Sequence, residues 1–503
     1  MTAKMEETEG LEQSIGFNGS LPLHGYDRDI LLSEMQGAKK NDANWREGKT
    51  WSLVYHKDQQ HEAFLKQAYS NYFSENYLNP MAFSSLRRYD HEVVRMCADL
   101  LQGDSDVVGT ITSGGTESIL LAIKAYRDRA REKRKFLRRP NMIVPDTVHV
   151  AFDKAAHYFD VDIIRAPLDE NMCVDIKAVK KLINRNTILL VGSAPNYPYG
   201  TVDDITALGK LAKKFKLPLH VDACVGGFML PFVREIGGDV PAFDFEVPGV
   251  TSMSVDVHKY GYAAKGASVI LYKNMDYLKY QFVVCSDWCG GVYASPTLQG
   301  TRSGGSVAAA WAAMNSIGRT GYVDLARETM AITEKLKQGI NAIDGLEVIG
   351  SPRMTIFAYL SKDESLNVFA VADVMEKKGW HIDRQQKPTS LHAMVTINHK
   401  THYHKYLDDL REAVSIVRQQ PDLAQQGNAA MYGMVAQMPL RGLVKNNVLK
   451  MMESMYSSEN KTFGNDLDSI GNNQAVELGI KVLASFNKAK RRLNGLLDGL
   501  RRK

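Results

Sequence analysis

Lys259 follows a histidine in the run Ser254-Val255-Asp256-Val257-His258-Lys259-Tyr260-Gly261-Tyr262, which continues the apolar stretch Val250-Thr251-Ser252-Met253. A lysine at the end of a buried strand is partly desolvated. Its amine pKa falls, and the amine is then suited to condense with an aldehyde. Taken alone, a His-Lys pair describes an ordinary surface lysine, so its companions decide. Asp222 ends a second apolar run, Leu219-His220-Val221-Asp222-Ala223-Cys224. A carboxylate there could cap a helix, or it could keep a ring nitrogen protonated so that the ring accepts electrons. Asp256 is a rival for that role, but three residues before the lysine it reads as support for the turn.

Ser113-Gly114-Gly115-Thr116-Glu117-Ser118 sits between strand-like and helix-like segments. Glycine leaves backbone N–H groups accessible, the helix start carries partial positive charge, and Thr116 adds a hydroxyl, so an anion fits. The spacing and lysine of dinucleotide and Walker loops are missing. His149, between the strand Met142–Val144 and a following helix, offers a flat imidazole for stacking on an aromatic group; a capping or core role is the alternative. The loops Pro195-Asn196-Tyr197-Pro198-Tyr199-Gly200, Gly290–Pro296 and Arg302–Gly305 also fall past strand ends, where ligands bind in open α/β sheets.

The elements that must position these groups are readable as alternation. Strands are expected at Val107–Thr112, Met142–Val144, Ile163–Arg165, Thr187–Val191, Leu217–Asp222, Thr251–Asp256 and Ser268–Tyr272. Several are continuous apolar runs, as parallel strands covered on both faces require. Helical spacing fills the gaps, for example Glu117–Arg134 and Asp203–Lys214, and an α/β fold with a large, mostly parallel sheet follows. An alanine-rich buried helix is expected over Ser303–Gly318 and a long helix over Gly321–Ala342. Strands near Leu346–Ile349, Thr355–Leu360 and Leu391–Ile397 then alternate with helices Val368–Lys378 and His402–Arg418, a small α+β domain. The expected division is an N-terminal arm and helix at 1–75, a large domain at 76–329, the small domain at 330–445, and a helical tail at 446–503. Within that tail, Ser457–Asn473 reads as a loop.

With 503 residues, 44% hydrophobic and 24% charged, the chain can build a sizeable core. A net charge of +5 without a zinc finger or basic stripe points away from nucleic acid and toward small anions. Cys97, Cys173, Cys224, Cys285 and Cys289 are too few and scattered for a disulfide framework or a metal site, and read as buried free thiols in a reducing compartment. No apolar signal core precedes Gly19, and no uncharged run reaches the roughly 20 residues of a membrane span, so a cytoplasmic protein is expected. Export by a system without a cleavable signal stays open.

Glycine turn, stacking histidine, strand-end aspartate and His-Lys, in that order, are what a fold-type I pyridoxal-phosphate enzyme presents. Over about residues 25–445 the chain resembles the sphingosine-1-phosphate lyases, within the group II pyridoxal-phosphate decarboxylases. The matching stretches are Val54-Tyr55-His56, TSGGTESIL at 112–120, AFDKAAHYF at 151–159, LHVDACVGGF at 219–228, SVDVHKYGYAAKG at 254–266 and YASPTLQGTRSGG at 293–305. The resemblance implies pyridoxal phosphate as cofactor and an aspartate-aminotransferase-like fold with a seven-stranded large-domain sheet. It implies Lys259 as the Schiff-base lysine, Gly115, Thr116 and His258 as cofactor-phosphate contacts, His149 as the stacking residue and Asp222 as the pyridinium partner. It implies a homodimer with shared active sites, in which Tyr55 and the Gly300-Thr301 loop reach the neighbour's cofactor. Asn76, Tyr199, Lys265 and Tyr432 fall on the substrate side. One departure is Asn79, which stands where the family usually has histidine and cannot take a proton near neutral pH.

The implied reaction is retro-aldol cleavage of a phosphorylated sphingoid base to a long-chain aldehyde and phosphoethanolamine. Lys259, Tyr199 and a cofactor-phosphate oxygen are equal candidates for moving the proton. A lipid substrate implies transient contact with a membrane surface. Amino-acid decarboxylation on the same scaffold is the alternative, and would require an arginine for the substrate carboxylate.

Overall fold

Seven short runs pair into one sheet: β1 (Val108–Thr112), β2 (Asn141–Pro145), β3 (Asp162–Ala166), β4 (Thr187–Ser193), β5 (Leu219–Asp222), β6 (Val250–Val255) and β7 (Ser268–Tyr272). Their order is β1-β7-β6-β5-β4-β2-β3. β2, β3, β4, β5 and β6 pair in parallel, whereas β7 runs antiparallel to both β6 and β1. The reversal of β7 lets the non-crossover connection 256–267 join it to β6 without a helix, and that connection carries Lys259. The computed structural model describes residues 21–437 and 441–457. The arm before residue 21, and the loop and basic end expected beyond residue 457, lie outside the described residues.

The helices are α1 (Arg28–Ala38), α2 (Gln59–Ser70), α3 (Ser84–Leu100), α4 (Gly115–Lys133), α5 (Ala151–Phe159), α6 (Ile176–Leu182), α7 (Ile205–Phe215), α8 (Leu230–Glu235), α9 (Met275–Leu278) and α10 (Gly304–Asn341). Strand alternation feeds both faces of the sheet. Met142, Val144 and Ile270 pack with Ile119, Ile123 and Phe152 of α4 and α5. Ile143, Val221 and Met253 pack with Val93 of α3, Leu208 of α7 and Leu230 of α8. All of β4, β5, β6 and β7 is buried, which is why those runs carry no polar alternation.

The two expected helices, over Ser303–Gly318 and Gly321–Ala342, are the two helical segments of α10, which meet in a kink at Gly318, whose φ of 63° and ψ of 171° are not helical. Glycine takes that positive φ without a Cβ clash, which is why the helical pattern breaks there. α10 leads to a second sheet of β10 (Leu346–Val348), β11 (Ile356–Ser361), β12 (Asp383–Gln386) and β13 (Thr389–Met394), all antiparallel in the order β10-β11-β13-β12. Its apolar face is closed by α11 (Val368–Lys377) and α12 (Tyr403–Gln419), around Phe357, Tyr359, Phe369 and Leu410. Short helices α13 (Gly427–Gln437) and α14 (Arg441–Met455) follow.

The glycine-rich segment read as a loop near 290–296 is instead half of a hairpin, β8 (Val283–Trp288) with β9 (Gly291–Ser295). It stands away from the core, with Val284, Trp288 and Val292 exposed at 67%, 56% and 77%. Cys285 and Cys289 lie on it and are exposed; only Cys97 and Cys224 are buried, which corrects the expectation of five buried thiols. No helix among the described residues is long and apolar enough to cross a membrane.

Candidate active site

β5 and β6 end side by side, and their parallel register sets Asp222 opposite Ser254. The chain then turns through Asp256, His258 and Lys259 before returning as β7. Lys259 Nζ lies 2.8 Å from Asp256 Oδ2, and Asp256 is almost wholly buried. Burial opposes the ammonium, yet the Asp256 charge, the hydrogen bond to it and the nearby Cys224 and Asp222 together hold the Lys259 amine above the usual lysine range. This corrects the expected lowered pKa: desolvation acts on the amine as expected, but Asp256, beyond supporting the turn, is the lysine's ion-pair partner and outweighs it. Burial raises the Asp256 carboxyl, and the charges of Lys259 and His258 outweigh it, leaving the group below its ordinary value.

His258 donates from Nδ1 to the Ala267 carbonyl at 2.7 Å, which anchors its ring. Burial pushes its pKa down, against the pull of Asp256. The glycine turn lies directly above. A Cβ at Gly115 would sit 2.7 Å from Cys224 Sγ and 2.8 Å from Asp256 Oδ1, so only glycine fits. At Gly114 the nearest atom to such a Cβ is His258 Cε1 at 3.8 Å, leaving room over the first turn of α4. Thr116 is exposed at that helix start, and Glu117 folds back to accept the Ser113 backbone and hydroxyl, each at 2.7 Å. The structure thus brings together Gly115, Thr116, His258 and Lys259.

Among the described residues Asp222 accepts hydrogen bonds at Oδ1 only, from the Cys224 backbone at 3.1 Å and the Ser254 hydroxyl at 3.3 Å. His149 follows β2 in an exposed turn, its Nδ1 accepting from the Ala151 backbone at 3.2 Å. Its ring meets the edge of Tyr197, with centroids 6.3 Å apart, and Tyr197 stacks on buried His392 at 4.4 Å. The sequence points to Tyr199 rather than Tyr197. Yet the Tyr197 phenol, raised mainly by burial, is the one that senses the Lys259 charge. Tyr199 is buried against Ile349 and Ala358, with its hydroxyl donating to the Lys387 carbonyl. Two tyrosines on either side of Pro198 differ in what they face, and only the loop geometry separates them.

Tyr55 and Lys265 form a second group. The Lys265 amine lies 5.0 Å from the Tyr55 ring centroid, and Tyr55 meets Tyr260 edge-on at 5.1 Å. Desolvation, then the charge of Lys259, push the Lys265 amine down to about 8. Both residues line a cavity of about 390 Å³ with His56, Lys57, His61 and Lys66. Asn76 joins Thr301, Nδ2 donating to Oγ1 at 3.2 Å, next to the bridge from Asn76 to Ser303. Asn79 is exposed, and its Oδ1 accepts the Met81 backbone N–H at 2.9 Å, shaping a turn. Tyr432 lies apart on α13, against Phe369 at 5.9 Å and beneath the Arg384 guanidinium at 5.3 Å.

Residues 80–362 match the pyridoxal-dependent decarboxylase conserved domain. The chain is 43% identical over 442 residues to a sphingosine-1-phosphate lyase of Oryza sativa subsp. japonica, covering 86% of this chain and 81% of that protein. The solved sphingosine-1-phosphate lyase of Burkholderia pseudomallei superposes with a TM-score of 0.81 at 37% identity, covering 88% of this chain and 98% of that one. A glutamate decarboxylase of Lactobacillus brevis, at 20% identity and a TM-score of 0.70 over 81% of this chain and 95% of that one, shares the fold. The chain is a pyridoxal-phosphate-dependent enzyme of fold type I and belongs to the sphingosine-1-phosphate lyase family.

Proposed function

We propose that this chain cleaves phosphorylated sphingoid bases at a carbon–carbon bond, releasing a long-chain aldehyde and phosphoethanolamine. The observation that carries the reading is the convergence of Lys259, Asp222 and the bare Gly114-Gly115 turn at neighbouring strand ends. The cofactor fits these residues. Asp222 Oδ2 accepts no hydrogen bond among the described residues and is available to a ring N–H, while a Cβ at Gly114, before the first N–H groups of α4, would meet only His258 Cε1, at 3.8 Å. Pyridoxal phosphate, when bound, supplies an aldehyde for a lysine and an electron-poor ring that accepts the electron pair of the broken bond.

Gly115, Thr116 and His258 would hold the phosphate, Asp222 the ring nitrogen, and His149 a ring face. Lys259 must lose its proton before its amine can act, so Asp256 keeps it charged until that moment. We assign the proton transfer at the substrate hydroxyl to Tyr197 rather than Tyr199, whose hydroxyl is committed to Lys387. Lys265, whose ammonium is incompletely solvated, pairs with the substrate phosphate, with Tyr55, Asn76 and Asn79 as the remaining substrate-side group; Tyr432, which lies apart on α13, is assigned there by the family resemblance alone. Asn79 supplies an amide in place of a titratable imidazole. The assembly is read as a homodimer with shared sites. The exposed apolar residues of the β8–β9 hairpin support burial against a second copy. The setting is read as cytoplasmic, with transient contact at a membrane surface to reach the lipid.

The test is direct. Purified protein given cofactor and sphingosine 1-phosphate should yield a long-chain aldehyde and phosphoethanolamine. Borohydride should fix the cofactor on Lys259, and Lys259→Ala should lose both visible cofactor absorbance and turnover. Release of carbon dioxide from amino acids, without aldehyde, would replace this reading with decarboxylation.

A further inference from the structure

Beneath Asp222 runs a buried series of polar side chains that none of the roles above uses. The Tyr126 hydroxyl, from α4, donates to Ser252 Oγ at 2.7 Å. Ser252 Oγ lies 2.7 Å from His220 Nδ1, His220 Nε2 lies 3.3 Å from Ser254 Oγ, and Ser254 donates to Asp222 Oδ1 at 3.3 Å. Tyr126, His220, Ser252 and Ser254 are at most 1% exposed.

The proton positions follow by elimination. A serine hydroxyl has one hydrogen. Ser254 spends its hydrogen on Asp222, so it accepts from His220, which must carry its proton on Nε2. His220 Nδ1 is then an acceptor and takes the Ser252 hydrogen, Ser252 accepts from Tyr126, and Thr251 Oγ1, 2.7 Å from the Tyr126 hydroxyl, gives its own hydrogen there in preference to the Leu219 carbonyl at 3.0 Å. Every hydrogen in the series therefore points toward Asp222. The titratable group acting on His220 is Asp222 on its own strand, with Tyr126 of α4 reaching it through Ser252. Phe152 closes the α5 side, with ring centroids 5.8 Å apart. Burial holds His220 neutral, with a pKa near 4, against the pull of Asp222.

We infer that Tyr126, Ser252, His220 and Ser254 form a one-way donor relay that keeps Asp222 an ionised carboxylate, and so keeps the proton on the cofactor's ring nitrogen. They are positioning residues. This rests on the assignment of Asp222 as the ring-nitrogen partner. A weaker set of donors makes Asp222 more basic, and the shared proton moves from ring to carboxylate, leaving a poorer electron acceptor.

The experiment is nitrogen NMR of holoenzyme loaded with cofactor labelled at the ring nitrogen, in wild type, Ser254→Ala, Tyr126→Phe and Asp222→Asn, with turnover measured alongside. Ser254→Ala should move the ring-nitrogen shift toward the unprotonated value and lower kcat about tenfold, as befits loss of a hydrogen bond to a charged group. Tyr126→Phe, which keeps the ring and its packing, should move both in the same direction by less. Unchanged ring-nitrogen shifts in both variants, with Asp222→Asn shifted, would overturn the relay and leave Asp222 in its role. A wild-type shift in Asp222→Asn would overturn the assignment of Asp222 itself, and the relay with it.

Discussion

The Lys259 ammonium and Asp256 carboxylate, 2.8 Å apart, make the prospective nucleophile half of an ion pair. The Lys259 pKa is raised, so its contribution to stability is present below the unfolded lysine value of about 10.4 and is lost as pH rises through the folded value. The Asp256 pKa is lowered, so its contribution is present above about 3.9 and is lost as pH falls. Asp256→Asn should therefore destabilise the cofactor-free protein by about 3 kcal/mol between those limits. Burial, less opposed, then lowers the amine pKa. The pH of half-maximal cofactor capture, followed by visible absorbance, should fall by at least about one unit. An unchanged capture profile would remove Asp256 from control of the lysine.

Gly115→Ala places a methyl group against Cys224 and Asp256, both buried and unable to withdraw. The strain should cost about 1–3 kcal/mol in thermal or denaturant unfolding. Cofactor affinity, measured by equilibrium titration, should weaken by at least about tenfold because the turn and the Lys259 pair must both shift. Gly237→Ala, where a Cβ meets open space, controls for loss of glycine as such, although its φ of 89° adds local strain.

Tyr197 and Tyr199 give a paired test. Tyr197→Phe should lower kcat by about 100-fold, the lower end of general acid–base contributions, with modest change in KM. Tyr199→Phe frees the Lys387 carbonyl, and should cost about 1 kcal/mol of stability while leaving the chemical step nearly intact. The reverse ranking would return the proton-transfer role to Tyr199.

Acid sensitivity should have a histidine component. His399 is buried, takes the Thr396 N–H on Nδ1 at 2.9 Å and contacts the Thr50 carbonyl from Nε2 at 3.1 Å. Burial, opposed by these backbone contacts, lowers its pKa to about 4. Between about 6.5 and that value the unfolded chain binds the additional proton, so stability falls as pH falls. His399→Asn should flatten denaturant-measured stability between pH 4 and 6.5 by about 3 kcal/mol, given about 1.4 kcal/mol per pKa unit.

Much of the large sheet was legible because the strands around Lys259 and Asp222 are buried on both faces and appear as unbroken apolar runs. β12 was not, since Asp383–Gln386 is polar and partly exposed, and its pairing is set by the neighbouring β13. The helix α3 was overlooked although Leu86, Val93, Val94 and Cys97 repeat on one face. At the site, residue types pointed to Lys259 and Asp222, but not to the distance between Lys259 and Asp256. That pairing depends on how tightly the turn winds. Nor does a Tyr-Pro-Tyr sequence reveal which phenol faces inward. The relay under Asp222 spans α4, β5 and β6, and exists only once the sheet is assembled.

Glu117 is buried at 6% exposure and serves two masters: one carboxylate oxygen takes Ser113, the other takes the Leu298 backbone N–H at 2.9 Å. The hairpin stem and the opening of α4 are thereby riveted through one side chain. A load applied to the protruding arm has a mechanical path to the glycine turn, so crosslinking or seating that arm would alter the stiffness of the turn proposed to hold the cofactor phosphate.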